Sequence, residues 1–330
     1  EPYGRLRDVE VEKELAKINV PLVRTGSPYA VAPFRVTKDD GTPYRVFTPF
    51  YRTWLKHGWR KPAEKFKKTP PWFMPLPSED LPKVNSEIEI PKAGEKNALD
   101  LLDKFLKTAI NGYDENRNRP DLNGTSKLSI PLRFGEIHPR TILIELNDTK
   151  DHDTFRKEIC WREFYADVLF HNPHTLTDYY NEDFAEMEYA DPEKDQELLV
   201  AWQQGKTGYP VVDAAMRQLL TTGWMHNRAR MVVASFLVKD LHFEWQIGAS
   251  WFEEHLTDFD PASNAHGWQW TAGCGTDASP YYRVFNPILQ GLKFDPNGDY
   301  VRKFVPELRH LEGASVHSPW EFIDGYSLGY

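Results

Sequence analysis

Cysteine is nearly missing from this chain of 330 residues: Cys160 and Cys274 are the only two. Two cannot build a disulfide framework or a four-thiolate metal site, and a pair of reduced thiols in a cytosolic protein is the plain expectation. The eleven histidines show no HExxH and no paired metal spacing, so no structural metal is expected. Long apolar runs are also lacking. The longest, Met231 to Val238, is far too short to span a bilayer, and no signal-peptide pattern opens the chain. The first residue is Glu1 rather than methionine, as expected of a chain whose beginning lies elsewhere. Neither GxGxxG after a strand nor GxxxxGK[ST] occurs, which argues against a Rossmann-type dinucleotide site. Positive charge is in deficit, with 40 Lys and Arg against 49 Asp and Glu, a net charge of −9. That excludes coating nucleic acid through general basicity. It leaves room for a local basic groove, because affinity depends on which cations face the phosphates.

Aromatic residues, by contrast, are abundant: eleven Trp, fifteen Tyr and nineteen Phe make 14% of the chain. A large aromatic core accounts for them, and so do stacking surfaces for a ring cofactor or for bases. Position along the chain separates the two. Residues 1 to about 26 read as a helix followed by a strand, "VPLVRTG" closing at Gly26. Residues 27–60 continue as a loop leading into an aromatic helix. The segment 61–94, with "KKTPPWFMPLPSEDLPK", holds too many prolines for regular helix and reads as an extended linker. From Glu95 onward the pattern is one of amphipathic helices, at Glu95–Tyr113, Asp153–Phe170, Val211–Thr221, His226–Leu241 and Ile247–His255. The fold class expected is therefore mainly α, an all-helical domain over 95–330 preceded by an α/β piece over 1–60.

Four clusters carry chemistry. "GTSKLS", Gly124 to Ser129, offers backbone N–H groups and hydroxyls suited to phosphate oxygens, although such loops commonly just cap helices. In "EICWREFY", Glu158, Trp161, Arg162 and Tyr165 stand at i, i+3, i+4 and i+7 and share a helix face. Charges on an inward face need partners, so an ordinary ion pair beside a core tryptophan competes with a binding role. In "GWMHNRARMVVASFLVKDL", Asn227, Arg230, Met231 and Ala234 form a second such stripe, with Arg228 and His226 facing elsewhere. In "DFDPASNAHGWQW", Asp258, Asp260, Asn264, Trp268 and Trp270 crowd into thirteen residues. The two acids answer Arg162 and Arg230 more readily than they bind a metal, since no further acids stand at metal spacing.

Together with "GKTGYPVVDAAMRQL", "ASFLVKDL" and "RVFNPILQGLKFDPNGDYVRKFVPEL", these stretches resemble the photolyase/cryptochrome family over almost all of residues 95–310. The likeness is greatest to class I cyclobutane pyrimidine dimer photolyases. Residues 1–60 look like the end of that family's α/β antenna domain. The resemblance implies a helical domain holding bent FAD, reduced and anionic in the active state, and light-driven repair of pyrimidine dimers in DNA. The damaged dinucleotide is then flipped out of the duplex, as the general account of base flipping already states for photolyases.

Residue by residue, the resemblance assigns Tyr113, Thr125, Ser126, Lys127, Leu128 and Ser129 to the cofactor phosphates, and Phe155 to packing on the cofactor. Arg162, Arg230, Asp258 and Asp260 fall near the flavin, and Asn264 beside flavin N5. Glu158 and Asn227 would hydrogen-bond the dimer at the edge of the cofactor site, Trp161 and Trp270 would pack on the dimer, and Met231 would line the pocket. With no imidazole at Asn227 or Met231, cyclobutane dimers are favoured over (6-4) photoproducts. Arg117, Arg228 and Arg283 match DNA-phosphate contacts. Trp268 and Trp245 match two members of an electron-transfer chain. Pro192 stands where the outer member belongs, with Tyr189 or Trp202 as substitutes. The antenna chromophore is unassigned, since Gly4 replaces a glutamate that folate-binding relatives carry. A monomer acting on DNA, cytoplasmic and nucleoid-associated, is expected, with no membrane. The alternatives are a cryptochrome-type photoreceptor, against which Asn264 counts, and a DNA-binding remnant without activity.

Overall fold

The computed structural model describes residues 2–64, 77–80, 86, 88–278 and 283–322. Most of the proline-rich stretch expected as a linker lies outside the described residues. The helices, in chain order, begin with α1 (Pro2–Ala16), α2 (Phe47–His57), α3 (Glu95–Thr108), α4 (Tyr113–Asn116), α5 (Ser129–Phe134), α6 (Pro139–Leu143) and α7 (Lys150–His171). They continue with α8 (Gln196–Gln204), α9 (Pro210–Thr222), α10 (Asn227–Ser235), α11 (Trp245–His255), α12 (Pro261–Ala272), α13 (Pro287–Phe294) and α14 (Asp299–Phe304). No β-strand occurs among the described residues, where a single bridge joins Thr37 and Pro43. The mainly helical class expected from the sequence is what the chain adopts.

The strand expected at "VPLVRTG" is a correction: these residues run without regular structure. No described strand lies beside them to take their backbone hydrogen bonds, and an apolar run alone does not make a strand. The helix expected over Glu95–Tyr113 is a correction: α3 ends at Thr108, and Gly112, left-handed at φ 84°, precedes the separate α4. The helix expected over His226–Leu241 starts one residue later. His226 caps α10 by accepting the Arg228 N–H on Nδ1 at 3.1 Å, and a π-helical turn, Phe236–Asp240, follows.

Two aromatic and aliphatic cores result. One gathers Phe47, Phe50, Trp54, Leu102, Phe105, Ile159 and Phe164 between α2, α3 and α7. The other gathers Trp202, Met216, Val233, Trp245, Trp268 and Tyr300 among α8 to α12 and α14. The 22 residues of α7 make a rod of about 33 Å that gives Phe155, Ile159, Cys160, Phe164 and Val168 to the first core. Asp151 and Asp153 sit in its first turn, where the helix dipole favours acids. Glu163 fixes its register. Buried inside the first core, it accepts N–H bonds from Ala30 at 2.5 Å, Val31 at 3.0 Å and Trp54 Nε1 at 2.7 Å. Across the junction, Tyr165 of α7 stacks on His266 of α12 with ring centroids 5.6 Å apart. Those two contacts set where the functional face of α7 points.

Candidate functional site

The 124–129 loop is held rather than free. Asp151 of α7 accepts the N–H groups of Gly112 at 2.9 Å and Asp114 at 2.8 Å, tying α4 to the long helix just ahead of the loop. Gly124 packs so closely on Asn116 that an added Cβ would lie 3.1 Å from its carbonyl oxygen. Lys127 adopts φ 54°, and Leu128, buried, precedes α5 with no side chain capping that helix. The Lys127 ammonium is pushed below the ordinary lysine value, by burial first and then by Lys303 and Lys104. It lies 5.4 Å over the Trp224 ring. The loop carries hydroxyls at Thr125, Ser126 and Ser129, next in sequence to a cation crowded by two other lysines, a donor set that would suit an anionic diphosphate.

On α7, Glu158 meets Arg117 at the end of α4 in a charge-assisted hydrogen bond. Burial raises the Glu158 carboxyl, and Arg117 pulls it back. The buried Tyr113 hydroxyl is held above the usual tyrosine value, by burial and then by the charge of Glu158. Its ring meets Phe155 edge to face at 5.3 Å. Trp161 stacks flat on Phe47, with centroids 3.7 Å apart and planes 6° apart. Arg162, in contrast, turns to the carbonyls of Pro28 at 3.2 Å and Leu132 at 3.3 Å and lies over the Tyr29 ring. Its expected pairing with Asp260 is not made. Asp260 accepts the Ser263 N–H at 2.8 Å and caps α12. Both residues nonetheless line one cavity of about 370 Å³, together with Arg5, Tyr29, Arg133 and Phe170. Of the residues singled out in the sequence, only these two reach it.

The second expected pair does form. Asp258, almost wholly buried, takes both hydrogen bonds of a bidentate contact from Arg230 Nη2, at 2.9 and 2.8 Å. Arg230 also donates from Nε to the Met225 carbonyl at 2.9 Å. Asn264 donates from Nδ2 to the Ala249 carbonyl at 3.0 Å, which leaves its amide oxygen as the acceptor. Asn227 is exposed at the start of α10, with Nδ2 4.0 Å from Met231 Sδ. Trp270 is partly buried. Arg228, matched to a DNA-phosphate contact, is partly buried. It donates to Asn118 Oδ1 at 2.7 Å, lies 4.4 Å over the Phe294 ring, and its Nε is buried without a partner. Arg283 is exposed. Among the described residues no group of three His, Cys, Asp or Glu stands ready for a metal.

Trp245 and Trp268 are buried, and the ring nitrogen of each lacks a hydrogen-bond partner. Gly248, one turn beyond Trp245, has no room for a side chain: a Cβ there would sit 2.1 Å from the Trp268 ring. Sequence reasoning missed Gly248, Phe47 and Glu163. Glu163 stands beside Arg162 in a helix stretch that also carries Glu158 and Asp167, so nothing in the sequence marked it out, and the Phe47 stack spans more than a hundred residues of sequence.

The donor set suits FAD: hydroxyls and a lysine crowded by two others for the diphosphate, an open amide acceptor, and an acid paired with its arginine. A family profile described as the FAD binding domain of DNA photolyase matches residues 155–326, and one described as DNA photolyase matches residues 1–71. The deoxyribodipyrimidine photo-lyase of Alkalihalophilus pseudofirmus is 40% identical over 99% of this chain and 70% of its own length. That of Escherichia coli is 38% identical over 99% of this chain and 71% of its own. The crystal structure of a class III photolyase from Agrobacterium tumefaciens superposes with a TM-score of 0.85 at 40% identity, over 99% of this chain and 71% of that one. A cryptochrome from Synechocystis reaches 0.81 at 30% identity, over 98% and 71%.

Proposed function

The chain belongs to the DNA photolyase family, and from that premise we propose how its residues serve the activity. It is a deoxyribodipyrimidine photo-lyase, an FAD enzyme that reverses cyclobutane pyrimidine dimers in DNA under light. We assign it to the family rather than to class I, because a class III photolyase matches it at 40% identity. When bound, FAD would supply the light-driven one-electron chemistry that opening the dimer's cyclobutane ring requires.

The observation on which we rest the residue assignments is the Arg230–Asp258 pair, whose carboxylate is buried, together with the Asn264 amide held by Ala249. Asp258 is neutralised by its bidentate partner, so Asn264 presents a neutral acceptor and no uncompensated carboxylate opposes an anionic ring. The phosphates fall to Tyr113, Thr125, Ser126, Lys127, Leu128 and Ser129. Phe155, Arg162 and Asp260 complete the cofactor's surroundings. Glu158 and Asn227 bind the dimer bases, and Trp161, Met231 and Trp270 wall the hole. Phe47 stacks on Trp161 and holds its ring plane. Arg117, Arg228 and Arg283 take DNA phosphates. For Arg117 and Arg228 this requires release from Glu158 and Asn118. Among the described residues no helix is long and apolar enough to cross a membrane. We propose a monomer acting on DNA in the cytoplasm.

Replacing Glu158 by alanine tests the division of labour. We expect lesion affinity and repair per photon to fall about fivefold, the equivalent of one hydrogen bond of about 1 kcal/mol, with flavin content unchanged. Loss of flavin would reassign Glu158 to the cofactor.

A further inference from the structure

We infer that the turn after α12, Gly275–Asp277, sets the Trp161 ring through the start of α2 and so ties it to Trp270, with Thr276 as the positioning residue. This rests on the reading of Trp161 and Trp270 as walls of the lesion hole.

Both tryptophans are only partly buried, so neither ring is locked by close packing all round. From its own helix Trp161 meets Phe164 at 5.6 Å and Tyr165 at 5.3 Å, with planes 75° and 45° apart. Its flat contact comes from another element. Phe47, buried at the start of α2, stacks on it at 3.7 Å with planes 6° apart. Aromatic pairs left to themselves prefer offset or edge-on arrangements with centroids about 4.5–7 Å apart. A closer, flat stack needs Phe47 to be held in place by its surroundings.

The turn supplies that hold. Val46, the residue ahead of Phe47, is exposed and its side chain caps nothing. Thr276, buried, donates its hydroxyl to the Arg45 carbonyl at 2.7 Å. Burial raises the Asp277 carboxyl, and the Phe47 backbone N–H draws it back. An acid at the first turn of a helix is favoured by the helix dipole. Two consecutive residues of the turn thus grip the chain on either side of Val46.

The turn is itself fixed to Trp270. Gly273, left-handed at φ 94°, ends α12. Gly275 donates its N–H to the Gln269 carbonyl at 3.0 Å, and a Cβ there would lie 2.8 Å from the Trp270 nitrogen. Asp277 adopts φ 54°, a left-handed conformation uncommon outside glycine. Contacts therefore run from the Trp270 backbone through Gly275, Thr276 and Arg45 to Phe47 and the Trp161 ring. The Glu163 clamp places α7 as a whole, whereas this path acts on the ring. Its consequence is a pair of walls ordered before the lesion arrives, which spares the binding step the entropy of ordering them.

The test is made on the FAD-loaded protein with dimer-containing and undamaged oligonucleotides. Thr276→Val keeps the shape and removes the hydroxyl. We expect lesion affinity to fall about fivefold, the worth of one net hydrogen bond. Affinity for undamaged DNA, flavin content and repair per photon at saturating lesion should stay unchanged. Thr276→Ser, which keeps the hydroxyl, should restore lesion affinity. Phe47→Leu should reproduce the loss without adding to it. In a Trp161→Ala background Thr276→Val should cost nothing further, since the coupling runs through that ring. Full lesion affinity in Thr276→Val, the same loss in both backgrounds, or an equal loss for undamaged DNA would overturn the assignment. If Trp161→Ala alone leaves lesion affinity intact, the reading of Trp161 as a wall fails. The tie is then judged by the near-ultraviolet circular dichroism of the aromatic bands. Thr276→Val should change those bands only while Trp161 is present, and unchanged bands would overturn the tie as well.

Discussion

Asn264 is the residue whose chemistry is most exposed to a single change. Its Nδ2 is engaged by Ala249, so Asn264→Asp would place a negative charge where an anionic ring must sit. We expect reduced FAD to be destabilised by roughly 1–4 kcal/mol, depending on how far the site is screened. A potentiometric titration should show a more negative midpoint, and an unchanged midpoint would remove Asn264 from the ring. At this scale the sequence was partly legible. Two arginines and two acids on separate stretches called for pairing, and Arg230 with Asp258 pairs. Arg162 with Asp260 does not, because the carbonyls of Pro28 and Leu132 fit the guanidinium fork first. One carbonyl belongs to irregular backbone at Pro28 and the other to α5 at Leu132, and no side-chain pattern announces either.

Helix α12 shows what element-level reading overlooked. Polar residues and a glycine hide its apolar periodicity, yet Asp260 at the cap and Pro261 in the first turn are start signals. The helix places Asn264 and Trp268 one turn apart on one face. Close packing against α11 follows, and Gly248→Ala should cost about 1–3 kcal/mol by overpacking on Trp268, seen as a lower Tm. Full native stability in that variant would contradict the contact. His226, capping α10, and His266, within α12, are both buried and held at about 4, chiefly by burial. Their folded values lie below the unfolded value of about 6.5, so their stabilising effect is complete above that pH and is lost as pH falls through about 4. Each contributes roughly 3 kcal/mol across that window. His226→Asn keeps a capping acceptor without the titration, and denaturant midpoints should then fall less steeply between pH 6.5 and 4. An identical acid slope would rule His226 out.

Across the whole molecule, the aromatic surplus serves packing and chemistry together. Phe47, Phe50 and Trp54 share a core with Phe164 and Leu102. We therefore propose that the physical edge of the helical unit lies ahead of Ala30, rather than at residue 60 where composition changes. Composition marks the proline-rich stretch, whereas the Glu163 clamp on Ala30 and Val31 spans over 130 residues of sequence and is invisible to it. The net charge of −9 leaves DNA binding to a few arginines. Arg283 is the exposed one, and Arg283→Ala should reduce the slope of log affinity against log salt by about 0.9 with stability within about 0.5 kcal/mol of the original. An unchanged slope would take Arg283 off the phosphates. The decisive measurement is made on ultraviolet-irradiated oligothymidylate mixed with the FAD-loaded, reduced protein. Under blue light the thymine absorbance should return with repeated turnover, and in the dark it should stay lost. Equal absorbance in light and dark, with flavin bound and reduced, would contradict light-driven dimer repair by this chain.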